Sequence, residues 1–189
     1  MSDQDFVKYR QDVLANVKGE VLEIGFGTGL NLSYYPENIH KIIAIDANSG
    51  VNALAKKRIQ SSSITVDSRV LNGEKLPMVD NTFDSVVSTW TLCSIANVEQ
   101  ALKEIYRVLK PGGQFFFVEH GLSHEPEIQV WQNRLTPLQK IIADGCHLNR
   151  NIRQLIENQF DKVTLEEFYA DKAPKTSGYL YKGVATKTG

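Results

Sequence analysis

Apolar residues recur along this chain with two periods, and the switches between them mark its elements. Phe6, Val13, Leu14 and Val17 share a helical face, with Lys8, Asp12 and Lys18 off it, which predicts an amphipathic first helix ended by Gly19. Val21–Ile24 is a short apolar run that predicts a strand, followed by a helix through Leu30–Tyr35 that stops near Pro36. KIIAID at Lys41–Asp46 lacks alternation, as a strand buried on both faces does. A helix over Ser49–Gln60, an alternating strand over Ile64–Leu71 and a strand over Phe83–Ser88 come next, with Pro77 and Asn81 marking the loop before the last. After Asn97, a candidate N-cap, Val98, Leu102, Ile105, Val108 and Leu109 form a helical stripe that Pro111-Gly112-Gly113 should end. Gln114–Glu119 reads as a fifth strand and Trp131–Leu155 as mostly helix.

Strands alternating with helices imply βαβ units and a largely parallel, doubly wound α/β sheet. The end differs. Lys162–Tyr169 and Ser177–Ala185 are strand-like, and the short link 170–176 cannot hold a crossover helix, so this pair should be an antiparallel hairpin. The 189 residues suit one α/β domain, and no composition shift or repeat suggests a boundary.

A formal net charge of −1 gives no electrostatic reason to expect nucleic acid as a partner, and Lys56-Lys57-Arg58 reads as a solvated helix face. Cys93 and Cys146 lie far apart without metal-ligand spacing, so both are expected to be reduced thiols packed as small hydrophobes in a cytoplasmic protein. No histidine pair has ligand spacing on a helix, and no metal is expected. The first residues are too polar for a secretory signal, and no run reaches the length of a membrane span.

The chemistry begins at VLEIGFGTGLN, Val21 to Asn31. Gly25, Gly27 and Gly29 follow a strand end, where bare backbone lets a ligand come close. A dinucleotide site wants its third glycine one residue later, where Leu30 stands. Asp46, ending the second strand, can accept hydrogen bonds from both hydroxyls of a ribose, which serves NAD and S-adenosylmethionine equally. Asn72-Gly73-Glu74 lies where an adenine edge would be read, although Asn-Gly is also an ordinary turn pair.

EIGFGTG, AID, NGEKLPMVDNTFDSVVS and EIYRVLKPGGQFFFVEH, in that order over roughly residues 20 to 120, resemble the class I S-adenosylmethionine-dependent methyltransferases. The resemblance implies a Rossmann-like three-layer sandwich whose mostly parallel seven-stranded sheet closes with the antiparallel hairpin. It implies S-adenosylmethionine as cofactor, held by Glu23, Gly25, Phe26, Gly27, Gly29, Asp46, Ala47, Asn72, Gly73, Glu74, Thr89 and Trp90. Such sequences usually carry an acidic residue where Asn72 stands. Residues 1–18 would form a lid helix, with Tyr9 closing over the cofactor, and 121–160 a helical insert capping the substrate.

FVEHGLSHEPEIQVWQNRLTPLQKIIADGCHLNR and SGYLYKGVATK look like the small thiol S-methyltransferase-like branch of that family. The hydrophobic N-terminal anchor of the animal members is not present in this sequence. The acceptor is expected to be a small, apolar molecule, a thiol first, with a phospholipid or a quinone-like compound as further choices. An oxygen or carbon acceptor would need a base, for which His120 and His147 are candidates, whereas a thiol needs little. His124 reads as a solvated loop residue, and Trp131 and Tyr169 could wall the acceptor pocket. An NAD-dependent oxidoreductase and a non-catalytic cofactor-binding module are the alternatives.

Overall fold

The computed structural model describes residues 6–189 and, within them, every side chain except those of 50–54. Residues 1–5 of the expected first helix lie outside the described residues. The elements run α1 (Val7–Leu14), β1 (Val21–Ile24), a short 3-10 helix (Leu30–Ser33), β2 (Lys41–Asp46), α2 (Ser49–Ser61), β3 (Thr65–Val70), β4 (Phe83–Thr89) and α3 (Val98–Val108). They continue with β5 (Leu109–His120), α4 (Pro126–Ile142), α5 (Ile152–Glu157), β6 (Lys162–Tyr169) and β7 (Tyr179–Thr186).

The seven strands form one sheet in the order β3-β2-β1-β4-β5-β7-β6. β1 to β5 pair in parallel, while β7 lies antiparallel between β5 and β6. Strand order therefore reverses between β1 and β4, and the C-terminal pair is the hairpin that its short link requires.

Alternation along each strand sorts the core onto two faces. Leu22, Ile24, Phe115 and Phe117 pack with Leu102, Ile105 and Val108 of α3 and Ile152 and Ile156 of α5. Val21, Phe116 and Val118 point the other way, onto Val13 and Leu14 of α1 and Ala55 of α2. Both faces being covered explains why KIIAID carries apolar residues at successive positions.

Three boundaries differ from the sequence reading. The helix α3, capped by the Asn97 side chain accepting from the Gln100 N–H, ends at Val108 rather than at the Pro-Gly-Gly. Leu109 already pairs with Phe83, and Pro111-Gly112-Gly113 forms an irregularity within β5 before Gln114 pairs with Ser85. The expected helix over Trp131–Leu155 is broken in two, because Asp144 and Gly145 take φ of +48° and +81°. α4 buries Gln132 and Thr136 and turns Trp131 outward, 53% exposed and away from the wall of the cavity at the carboxyl ends of the strands.

Candidate cofactor site and a neighbouring cysteine cluster

The carboxyl ends of the parallel strands converge on a cavity of about 720 Å³ at the β1/β4 reversal, where ligands of open α/β sheets sit. Its walls come from the turn after β1 (Gly25–Thr28), the end of β2 (Asp46–Ser49), Leu71–Glu74 after β3, and Thr89–Thr91 at the end of β4. Arg10, Leu30, Asn31, Ser94–Ala96 and Asp144 complete it.

The three glycines all take positive φ, but their neighbourhoods differ. At Gly25 (φ +73°) a Cβ would lie 1.9 Å from Thr91 Oγ1, so the chain can turn off β1 here only without a side chain. At Gly27 (φ +55°) a Cβ would meet nothing nearer than 3.9 Å, so bare backbone faces the cavity. Gly29 (φ +76°) caps the 3-10 helix and does not line the cavity.

Asp46 is fixed before any ligand arrives. Its Oδ2 accepts from the Gly27 N–H at 2.9 Å and its Oδ1 from the Asn48 N–H at 2.8 Å. Each oxygen keeps a second lone pair for a hydroxyl. Asn72 Oδ1 accepts from the Glu74 N–H at 2.9 Å, closing an Asx turn, and Glu74 Oε1 accepts from the Asn97 N–H at 2.9 Å. Both side chains therefore shape the loop as well as border the cavity.

Glu23 lies beneath the cavity rather than in its wall. It is 1% exposed, with Oε1 accepting from Asn31 Nδ2 at 2.9 Å and Oε2 from Tyr35 Oη at 2.7 Å. Burial raises its carboxyl from the ordinary 4.5 to about 7, against the pull of those two hydrogen bonds. Asn31 passes the network on, accepting from Arg10 Nη1 at 2.7 Å, and Arg10 also donates to Thr89 Oγ1 at 3.1 Å. The guanidinium sits 4.7 Å from the Trp90 ring centre, and Trp90 itself holds φ +53°. From α1 it is thus Arg10 that reaches the cavity, while Tyr9 is buried against Phe168 and Phe6. Arg10 and Asn31 were not singled out in the sequence because a polar residue on a helix face looks like any solvated one.

Neither candidate base lines the cavity. His120, at the end of β5, turns its Nε2 to Cys146 Sγ at 3.0 Å, and its Nδ1 is buried without a partner. His147 Nδ1 faces the Cys93 carbonyl at 3.2 Å, and the residue borders a second cavity of about 460 Å³ beside α4. Burial lowers its pKa. His124 stays exposed and rests on Tyr169 and Tyr179, while Tyr169 hydrogen-bonds Ser123 and Phe168 neighbours it on the hairpin.

The cysteines, far apart in the sequence, are brought together. Among the described residues, Cys93, His120 and Cys146 place their Sγ and ring nitrogen atoms within 4.8 Å of one another. The neighbouring thiol and His120 hold the Cys146 thiol below its ordinary value, while Cys146 and burial push Cys93 up. Next to them Glu119 is fully buried, with Oε1 accepting from Ser88 Oγ and the Thr91 N–H and Oε2 without a partner.

With this geometry established, comparison with known proteins defines the class. Residues 22–117 match the methyltransferase domain family, and the chain belongs to it. It is 34% identical to human thiol S-methyltransferase TMT1A over 87% of this chain and 71% of that protein. With rat thiol S-methyltransferase TMT1B it shares 39% over 77% of this chain, which spans only 62% of the rat protein's length. The ubiquinone/menaquinone biosynthesis C-methyltransferase UbiE of Hydrogenovibrio crunogenus is 29% identical over 85% of this chain and 67% of its own length. Among solved structures, a SAM-dependent methyltransferase from Methanosarcina mazei superposes with TM-score 0.68 at 22% identity, covering 93% of this chain and 97% of that one. Haemonchus contortus phosphoethanolamine N-methyltransferase 2, in complex with S-adenosylhomocysteine, reaches 0.73 at 16%, covering 99% and 53%. S-adenosylmethionine is the cofactor of this class.

Proposed function

We propose that this chain transfers a methyl group from S-adenosylmethionine to a small apolar acceptor, with a thiol as the first choice. The observation that carries the reading is the cavity where bare Gly27 backbone faces a carboxylate, Asp46, already oriented by two backbone N–H groups. The residues fit the cofactor: the cavity is of small-ligand size, and its wall joins an acceptor for a ribose, an Asx-turned loop for an adenine edge and a cation, Arg10. Gly25, Phe26 and Gly27 would hold the methionine and ribose, with Asp46 and Ala47 on the ribose and Asn72, Gly73 and Glu74 at the adenine. Thr89 and Trp90 would border the methionine end. Glu23 and Gly29 act one layer further out, shaping Asn31 and the 3-10 helix.

When bound, the cofactor supplies a methyl group on a positively charged sulfur, lost in an in-line displacement. The chain's own task is then alignment and exclusion of water, more than proton transfer. A thiol fits this wall because neither His120 nor His147 stands on it, and a thiolate needs no strong base. The similarity to thiol S-methyltransferases supports the same acceptor class, and the similarity to UbiE keeps a quinone-like carbon acceptor as the second choice. In this reading α1 acts as a lid through Arg10, and residues 121–160 cap the acceptor side.

The deciding experiment incubates the chain with methyl-labelled S-adenosylmethionine and a panel of alkyl thiols, phenols, a demethylated quinone and phosphatidylethanolamine vesicles. Label is expected on the thiols. Label on the quinone alone would move the acceptor to carbon, and cofactor binding without any labelled acceptor would overturn the enzyme reading.

A further inference from the structure

The Cys93, His120 and Cys146 cluster lies outside the cofactor cavity but touches it through its chain neighbours. Ser94 follows Cys93 and lines the cavity, and Asp144, two residues before Cys146, lines it too. Three separate segments deliver the three side chains: the loop after β4, the last residue of β5 and the turn between α4 and α5. Cys93 and Cys146 are 3% and 6% exposed, and both are free thiols.

Simple packing accounts poorly for this arrangement. Two thiols and an imidazole nitrogen within 4.8 Å, one contact at 3.0 Å, put three electron-pair donors around one point. Buried beside them, Glu119 leaves Oε2 without a partner and His120 leaves Nδ1 without one. Neither of those atoms is a donor to an ion at this point, and the donor set is the two sulfurs and His120 Nε2. Two thiolates and a divalent ion sum to no net charge, which suits a buried position. Zinc is held by sulfur at about 2.3 Å and by imidazole at about 2.0 Å, so its tetrahedral ligands would stand roughly 3.5–3.8 Å apart, which the His120–Cys146 contact at 3.0 Å meets by opening about half an ångström. Coordination through Nε2 also fixes the imidazole proton on Nδ1.

The geometry points to a Cys93–His120–Cys146 site for one thiophilic divalent cation, Zn²⁺ by its donor set, with the fourth coordination position left for an exogenous thiolate. Loading releases to solvent whatever proton the two sulfurs still carry as two sulfur–metal bonds form, with no change of oxidation state. A Cys2His set with a fourth position open is a donor set of catalytic rather than structural zinc. Binding of the ion stands by itself. Its use to present an acceptor thiolate beside the cavity rests on the proposed methyl transfer.

The test separates these. Chelator-treated, fully reduced full-length chain is titrated with Co²⁺ and then Zn²⁺, read by thiolate-to-cobalt charge-transfer absorption and by metal content after gel filtration. One ion per chain, with the charge-transfer band and its loss on Zn²⁺ addition, is expected. Cys93→Ser, Cys146→Ser and His120→Asn should each lower the retained metal at least tenfold while S-adenosylhomocysteine still binds, which certifies folding. Absence of the band in the wild-type chain, or retention of one ion by all three variants, overturns the site. Loss of both titratable thiols to a disulfide under air, with no metal bound when reduced, does the same. A small alkyl thiol should then shift the band of the Co²⁺ form. An unchanged band removes the open position, whatever the methyl-transfer assay gives.

Discussion

Gly25 and Gly27 stand two residues apart, and a side chain at each would fail for a different reason. Gly27→Ala adds backbone strain at φ +55° and meets no atom closer than 3.9 Å, so it should cost about 1–2 kcal/mol. Gly25→Ala adds the same strain and drives Cβ into Thr91, so about 2–5 kcal/mol should be lost. Urea unfolding of the two variants checks that order. Asp46→Ala removes an oriented acceptor, and titration with S-adenosylhomocysteine should find binding weaker by about 1.5–3 kcal/mol. Unchanged affinity would place the ribose elsewhere. The glycines and Asp46 were legible because their residue types are rare solutions to a close backbone approach at a strand end. Arg10 was not, since nothing in KYRQD distinguishes an arginine reaching 21 residues on to Asn31 from one in water.

Among the elements, β1 carries the least ordinary residue, a carboxylate in the middle of a four-residue strand buried throughout. Folded, Glu23 keeps its proton up to about pH 7, whereas unfolded it ionises near 4.5. Between those values the native chain holds the extra proton, so stability is full below 4.5 and falls as pH rises through 7. The loss amounts to about 3 kcal/mol. Urea midpoints of Glu23→Gln measured across that range should lack the decline that the parent shows. The strands were legible from short apolar runs and alternation between turn signals, and the hairpin from a link too short for a helix. Periodicity did not reveal the break between α4 and α5, which lies in two left-handed residues, Asp144 and Gly145. Nor did it place the start of β5, where Leu109 leaves the helical stripe one residue early to pair with Phe83.

At the scale of the molecule, one sheet sets the distances that the chain order conceals. Cys93 and Cys146 are 53 positions apart, and β4, β5 and the turn after α4 bring them to one point. No spacing rule applied to the sequence could have joined them, since the adjacency of β4 and β5 and the packing of α4 decide it. The same wrapping brings Arg10 and Asp144, which lie outside the matched span 22–117, to the cavity wall.

The Arg10 bridge makes the first helix a clock for the site. α1 can lift from the sheet only by breaking the Arg10 contacts to Asn31 and Thr89, and with them part of the cavity wall. Amide hydrogens of Val7–Leu14 should therefore exchange with deuterium more slowly once S-adenosylhomocysteine is added. The slowing can reach about 100-fold at a hundred times the dissociation constant if lifting abolishes binding. In Arg10→Ala the same amides should exchange at a rate indifferent to the ligand, and a retained slowing there would mean that something other than Arg10 ties this helix to the cofactor.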